Sequence, residues 1–161
     1  MGYREEILIQ LYRILENNIS DARIYYRLAD KCKRSSIKNF FKKLSLQKRI
    51  FCRRIKYEIG ELERQMEQIG EKSGSERWDS SKKTFHNLPS LGKDITEMIT
   101  YCDKRERQYL ELYKTLLSKT NIGNIREMLL SQKHAVQLAL NEMKTLETKI
   151  HNSKNEEINY S

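Results

Sequence analysis

Two acids and two amides in this chain fall at one repeated interval. Glu106 follows Asp21 by 85 positions, and Gln132 follows Gln47 by the same number. Apolar residues keep the offset: Ile14 with Ile99, Phe40 with Ile125, Leu44 with Leu129, Phe51 with Val136 and Ile55 with Leu140. An interval that matches polar to polar and apolar to apolar indicates two related halves. The chemistry such a set could carry is a di-metal carboxylate centre. That centre takes one carboxylate from each of two helices and a Glu-x-x-His pair from each of two others. Hard carboxylate oxygens bridge the metals, and each imidazole completes the coordination. Asp21 and Glu106 stand at the single-carboxylate positions. The paired positions read Gln47-Lys48-Arg49-Ile50 and Gln132-Lys133-His134-Ala135, with neither the glutamate nor the histidine.

An amide is a poor metal ligand beside a carboxylate, so the expectation is no metal and no cofactor. Asp21, Gln47, Glu106 and Gln132 are instead predicted to meet in a hydrogen-bonded polar layer. The glutamine amides would donate to Asp21 and Glu106, whose unpaired burial would be costly. A degenerate site keeping one metal ion, or one holding a small polar ligand, is the alternative use of the same four residues. Catalytic residues are absent by pattern. His86, His134 and His151 have no predictable acid or nucleophile partner. The stretch "GEKSGS" lacks the Gly-Lys-Ser/Thr that ends a phosphate-binding loop. Tyr25, Tyr26, Tyr109 and Tyr113 read as core aromatics whose hydroxyls find partners. Cys32, Cys52 and Cys102 are an odd number without metal-site spacing, which fits reduced thiols in the cytosol.

Four helices are predicted to carry these residues. The first, Tyr3 to Lys33, turns Ile7, Leu11, Ile14, Asn18, Asp21, Tyr25 and Leu28 inward at alternating steps of four and three. Ser35-Ser36 opens a second helix reaching Ile69, with Phe40, Leu44, Gln47, Phe51, Ile55, Ile59 and Leu62 inward. The polar stretch "GEKSGSERWDSSKK" and the lone proline in "TFHNLPSLGK" break the pattern, with a short helix expected near Trp78–Leu88. Asp94 and Glu97 cap a third helix that seats Ile95, Ile99, Cys102, Glu106, Tyr109, Tyr113 and Leu116. Asn124 starts a fourth, burying Ile125, Leu129, Gln132, Val136, Met143, Leu146 and Ile150. Residues 1–150 then form one all-α domain, and 151–161 a flexible polar tail. Two short turns flanking one long link predict two antiparallel hairpins joined by a crossover, the ferritin-like four-helix arrangement.

Charge narrows the partner classes. The chain has 31 Lys and Arg against 22 Asp and Glu, a net charge of +9, and no apolar run long enough to span a bilayer. Much of the excess sits in "DKCKRSSIKNFFKKLSLQKRIFCRRIK", where Lys42, Lys43, Lys48, Arg49, Arg53 and Lys56 are predicted on the solvent side of the second helix. A solvated basic face is favoured over an anion-binding one. Nucleic-acid contact is the alternative, and it would be salt-sensitive and largely sequence-independent.

Four stretches together carry a resemblance: "SDARIYY" with Asp21, Ala22 and Tyr26; "FFKKLSLQKRIF" with Phe41, Leu44, Gln47 and Phe51; "CDKRERQYLELY" with Cys102, Glu106 and Tyr113; and "LLSQKHAV" with Leu129, Gln132 and Val136. From about Leu11 to Leu146 the chain resembles a family of short bacterial proteins classified as a ferritin-like domain of unknown function. Arg54 stands where that pattern suggests a glutamate, Arg105 where it has a small residue, and Leu140 where it has a histidine. "KKTFHNL" replaces its His-Arg-x-x-Trp run. The resemblance implies a cytosolic ferritin-like bundle with a structural or stress-related role, and a homo-oligomer is the assembly expected of the chain.

Overall fold

The structure is a computed structural model that describes residues 2–71 and 94–160, with the side chains of the last helix described as far as Ser153. Four helices form it: α1 (Tyr3–Lys31), α2 (Ser35–Gln68), α3 (Ile95–Lys119) and α4 (Gly123–Tyr160), with no strand among the described residues. The short helix expected near Trp78–Leu88 lies outside the described residues. Helix α4 runs to Tyr160, through the segment read from the sequence as a flexible polar tail from residue 151. That stretch has no apolar period but also no Pro or Gly to stop a helix already nucleated.

Terminal contacts set the directions. Ser45 Oγ of α2 donates to the Ala22 carbonyl of α1 at 2.6 Å, a close approach that the two small side chains permit. Arg4 and Glu71 join the beginning of α1 to the end of α2 at 3.7 Å, so these helices are antiparallel. The Tyr3 hydroxyl donates to Asn121 Oδ1 at 2.7 Å, just beyond the end of α3, while the Cys32 thiol meets Met98 near its start. Helix α1 is therefore antiparallel to α3 as well. Lys43 reaches Glu142 at 3.5 Å, and Ile50, Phe51 and Arg54 share a groove with Glu127, Met128 and Ser131, which makes α2 and α4 antiparallel. It follows that α2 and α3 point the same way, and the link between them joins opposite ends of the bundle.

The helix ends follow local chemistry. Asp94 accepts from the Thr96 amide at 2.9 Å, as expected of the N-cap of α3. Gly70, at φ +74°, donates to the Glu67 carbonyl, and Glu71 donates to that of Met66, closing α2 with a paired C-terminal motif that needs a left-handed residue. Arg126 of α4 donates to the Leu117 and Thr120 carbonyls at 2.6 and 2.9 Å, satisfying the end of α3 and fixing the second turn.

The inward positions predicted for α1 and α4 are all buried; in α3 only Ile95 is partly exposed. Helix α2 differs. Gln47 is only half-buried, and Lys48, expected in solvent, is fully buried. The buried row of α2 is Ile37, Phe41, Leu44, Lys48, Phe51, Ile55, Ile59, Leu62 and Met66, with Phe40 and Glu58 on its α4 side. Its steps of four and three place Lys48 on the seam, one residue past the glutamine.

Candidate functional site

Asp21 of α1 and Glu106 of α3 face each other across the interior at zero exposure. Each is bonded by a tyrosine from the other's helix. Tyr25, one turn after Asp21, donates to Glu106 Oε2 at 2.8 Å; Tyr109, three residues after Glu106, donates to Asp21 Oδ2. Helical spacing of three and four puts acid and tyrosine on one face, so antiparallel helices can exchange them.

Hydroxyl donors alone would leave two negative charges in the core, at a cost of several kcal/mol each. Two cations answer them. Arg105 forks onto Asp21, Nε to Oδ1 at 3.1 Å and Nη2 to Oδ2 at 3.0 Å. Lys48 of α2 places Nζ 2.7 Å from Glu106 Oε1, with both side chains at zero exposure. Its ammonium also lies 4.3 Å from the Tyr109 ring centre and 5.3 Å from that of Phe51, so aromatic faces supply what water would otherwise give. The fourth helix contributes Gln132, whose Oε1 accepts from Tyr113 at 3.0 Å.

The layer thus differs from the expected one in its donors. Among the described residues neither glutamine amide bonds a carboxylate, and the four predicted residues make no direct bond to one another. Asp21 and Glu106 share one buried cluster with Tyr25, Tyr109, Lys48 and Arg105, and Gln132 is buried beside it, bonded to Tyr113, whose ring stacks on that of Tyr109 at 6.3 Å. Gln47 lies apart: it lines an apolar groove of about 150 Å³ between α2 and α4 with Phe40, Leu44, Ala135 and Leu138, and its Oε1 is buried without a partner. The reason is rotational. Two buried carboxylates need cations, and bringing Lys48 onto the seam turns Gln47 about 100° aside. The anion-binding face loses Lys48 accordingly. Lys43 pairs with Glu142, while Lys42, Arg49, Arg53 and Lys56 are exposed.

This donor set does not fit a metal pair. Oxygens of both carboxylates already accept from Lys48, Arg105 and two tyrosines, the remaining member is an amide, and an ammonium sits against Glu106. No group of three or more His, Cys, Asp and Glu side chains able to hold a metal ion occurs among the described residues. The hydroxyls and the thiol beside the carboxylates stay in their neutral forms. Burial, reinforced by the neighbouring carboxylates, pushes the Tyr25 and Tyr109 hydroxyls well above their ordinary range. The Cys102 thiol is pushed well up by the same burial and by Glu106. Burial opposes the charge of Arg105, but Asp21 outweighs it and raises the guanidinium further. Such an arrangement holds charge and protons in place; it presents no activated nucleophile and no base awaiting a proton.

No helix among the described residues is long and apolar enough to cross a membrane. Compared with known proteins, the chain matches no family model, no curated protein and no solved structure.

Proposed function

We propose that this chain is a non-catalytic, ferritin-like helical bundle in which an internal lysine takes the place that a metal-binding bundle of this kind gives to its ions. One observation carries the reading. The Lys48 ammonium lies 2.7 Å from Glu106 in a site neither side chain shares with water. A covalently attached cation balances the charge that the carboxylates would otherwise offer to a metal, so the interior is complete without a cofactor. The bundle then acts as a rigid, self-associating body through its surface, in a structural or stress-related role. Buried free thiols at Cys32, Cys52 and Cys102 suit the cytosol.

Elemental analysis tests the reading. Protein purified without chelator from cells grown with added iron, manganese and zinc should carry no stoichiometric metal. One equivalent or more of a single metal, released when Asp21 and Glu106 are replaced by Asn and Gln, would refute it in favour of a metal-binding, oxidase-type member.

A further inference from the structure

Between Ser35 and Tyr57, helix α2 carries eight Lys and Arg and no Asp or Glu. Three of these cations are paired: Lys48 with Glu106 at 2.7 Å, Lys43 with Glu142 at 3.5 Å, and Arg54 with Glu58 at 3.0 Å. The remaining five, Lys38, Lys42, Arg49, Arg53 and Lys56, form no ion pair among the described residues. They are not scattered. At roughly 100° per residue all five fall within an arc of about 60°, in a row about 27 Å long. That arc faces α1, since Ser45 beside it bonds the Ala22 carbonyl and Arg49 lies 5.8 Å from the Tyr26 ring centre. Arg23 and Arg27 of α1 are exposed on the same flank, with the partly buried Glu16 in line with them, Asp30 at one end and Glu63, held by Tyr12, toward the other.

On α3, Arg107 pairs with Asp103 at 2.8 Å and Lys114 with Glu111 at 3.6 Å, one helical turn apart. Lys104, Lys144 and Lys149 are also exposed without an ion pair among the described residues, but they are spread over α3 and α4, whereas the five of α2 stand in one line and repel one another unless an anion lies beside them. The partner that matches is a linear polyanion with closely spaced charges. A lipid surface matches less well. The exposed apolar residues of α2, Leu46, Ile50 and Tyr57, point roughly 50–90° away from the centre of the row, so membrane contact through it would leave them aside.

We propose that the α1–α2 seam binds the phosphodiester backbone of nucleic acid without reading sequence, through Lys38, Lys42, Arg49, Arg53 and Lys56. Five phosphate contacts on a duplex predict a slope of about −4.5 for log binding constant against log salt. Binding should then weaken roughly 500-fold between about 50 and 200 mM salt.

The test is fluorescence anisotropy with the full chain, using a labelled 30-base-pair DNA duplex of mixed sequence, a single-stranded RNA of equal length, and phosphatidylserine vesicles. The expected result is binding of the duplex in low salt with that slope, and comparable binding of an unrelated sequence. The triple variant Arg49→Gln/Arg53→Gln/Lys56→Gln alters only exposed side chains and should bring the slope to about −1.8. A control variant with equal charge loss, Lys104→Gln/Lys144→Gln/Lys149→Gln on α3 and α4, should leave the slope unchanged. Binding of RNA alone would keep the proposal and identify the source of the phosphates. No nucleic-acid binding at low salt, equal effects of the two variants, or binding to vesicles only would each overturn it.

Discussion

Replacing Lys48 by Met tests the centre of the bundle most directly. Methionine keeps the length and the unbranched stem but removes the ammonium 2.7 Å from Glu106 and 4.3 Å from the Tyr109 ring. Glu106 would keep only the Tyr25 hydroxyl, at zero exposure. Removing one partner of a buried pair costs about 3–5 kcal/mol, because the other charge stays behind unanswered. Set against a total stability of about 5–15 kcal/mol, that is a large share. The melting temperature of a chain this size should fall by roughly 6–20 °C. Urea unfolding followed by helical circular dichroism measures it. The double variant Lys48→Met/Glu106→Gln should recover much of the loss, since a neutral amide oxygen still accepts from Tyr25 and no charge is stranded. The coupling energy between the two substitutions should be about 2 kcal/mol or more. A Lys48→Met cost under about 1 kcal/mol, in the range of exposed ion pairs, would mean that Lys48 reaches water and that the interior charge balance described above is wrong.

The two glutamines should respond oppositely to leucine. Gln47→Leu removes an oxygen without a partner from an apolar groove and should be neutral or mildly stabilising, whereas Gln132→Leu removes the acceptor of the buried Tyr113 O–H, leaving that hydroxyl only Asn18, and should cost about 1–3 kcal/mol in urea unfolding. Stability should also fall in alkali. Cys52 is pushed up to about 11, mainly by burial, and Cys102, Tyr25 and Tyr109 stand well above their ordinary values. The unfolded chain releases these protons first, so the stability they confer is present below about pH 9 and is lost as pH rises toward and beyond 11. Each group contributes a slope of up to about 1.4 kcal/mol per pH unit. The urea midpoint should hold steady from about pH 7 to 8.5 and decline from about pH 9 upward; a midpoint unchanged at about pH 10.5 would contradict the burial of all four.

Much of the interior was legible because helical burial is periodic. The steps of four and three in α1, α3 and α4 placed Asp21, Glu106 and Gln132 inward, and those residues are buried. The hydroxyl partners expected for Tyr25, Tyr109 and Tyr113 exist, whereas Tyr26, also expected in the core, is 47% exposed with its ring beside Arg49. Helix α2 was misread by one residue for an identifiable reason. Two rows pass through Leu44, Phe51 and Ile55. One runs through Phe40 and Gln47, the other through Phe41 and Lys48. The internal repeat favoured the first, because Gln47 aligns with Gln132. The regular four-three rhythm of Ile37, Phe41, Leu44, Phe51 and Ile55 favoured the second, and its missing member is position 48. A lysine there looked like surface, since charged side chains are buried only when paired.

The sequence by itself determined that this chain makes long amphipathic helices, which faces of three of them are apolar, and that acids stand inside. Those properties follow from local spacing. Which cation meets which acid was decided by tertiary structure alone. Lys48 and Glu106 are 58 positions apart and Arg105 and Asp21 are 84 apart, so neither pair is marked by spacing along one helix. The rotation of α2 about its own axis brings Lys48 in and sets Gln47 aside, and two buried carboxylates select that rotation because unpaired charge in the core costs more than an unsatisfied amide. The same turn of α2 leaves Arg49 and Arg53 along the seam with α1, so the charge balance inside and the row of cations outside have one origin.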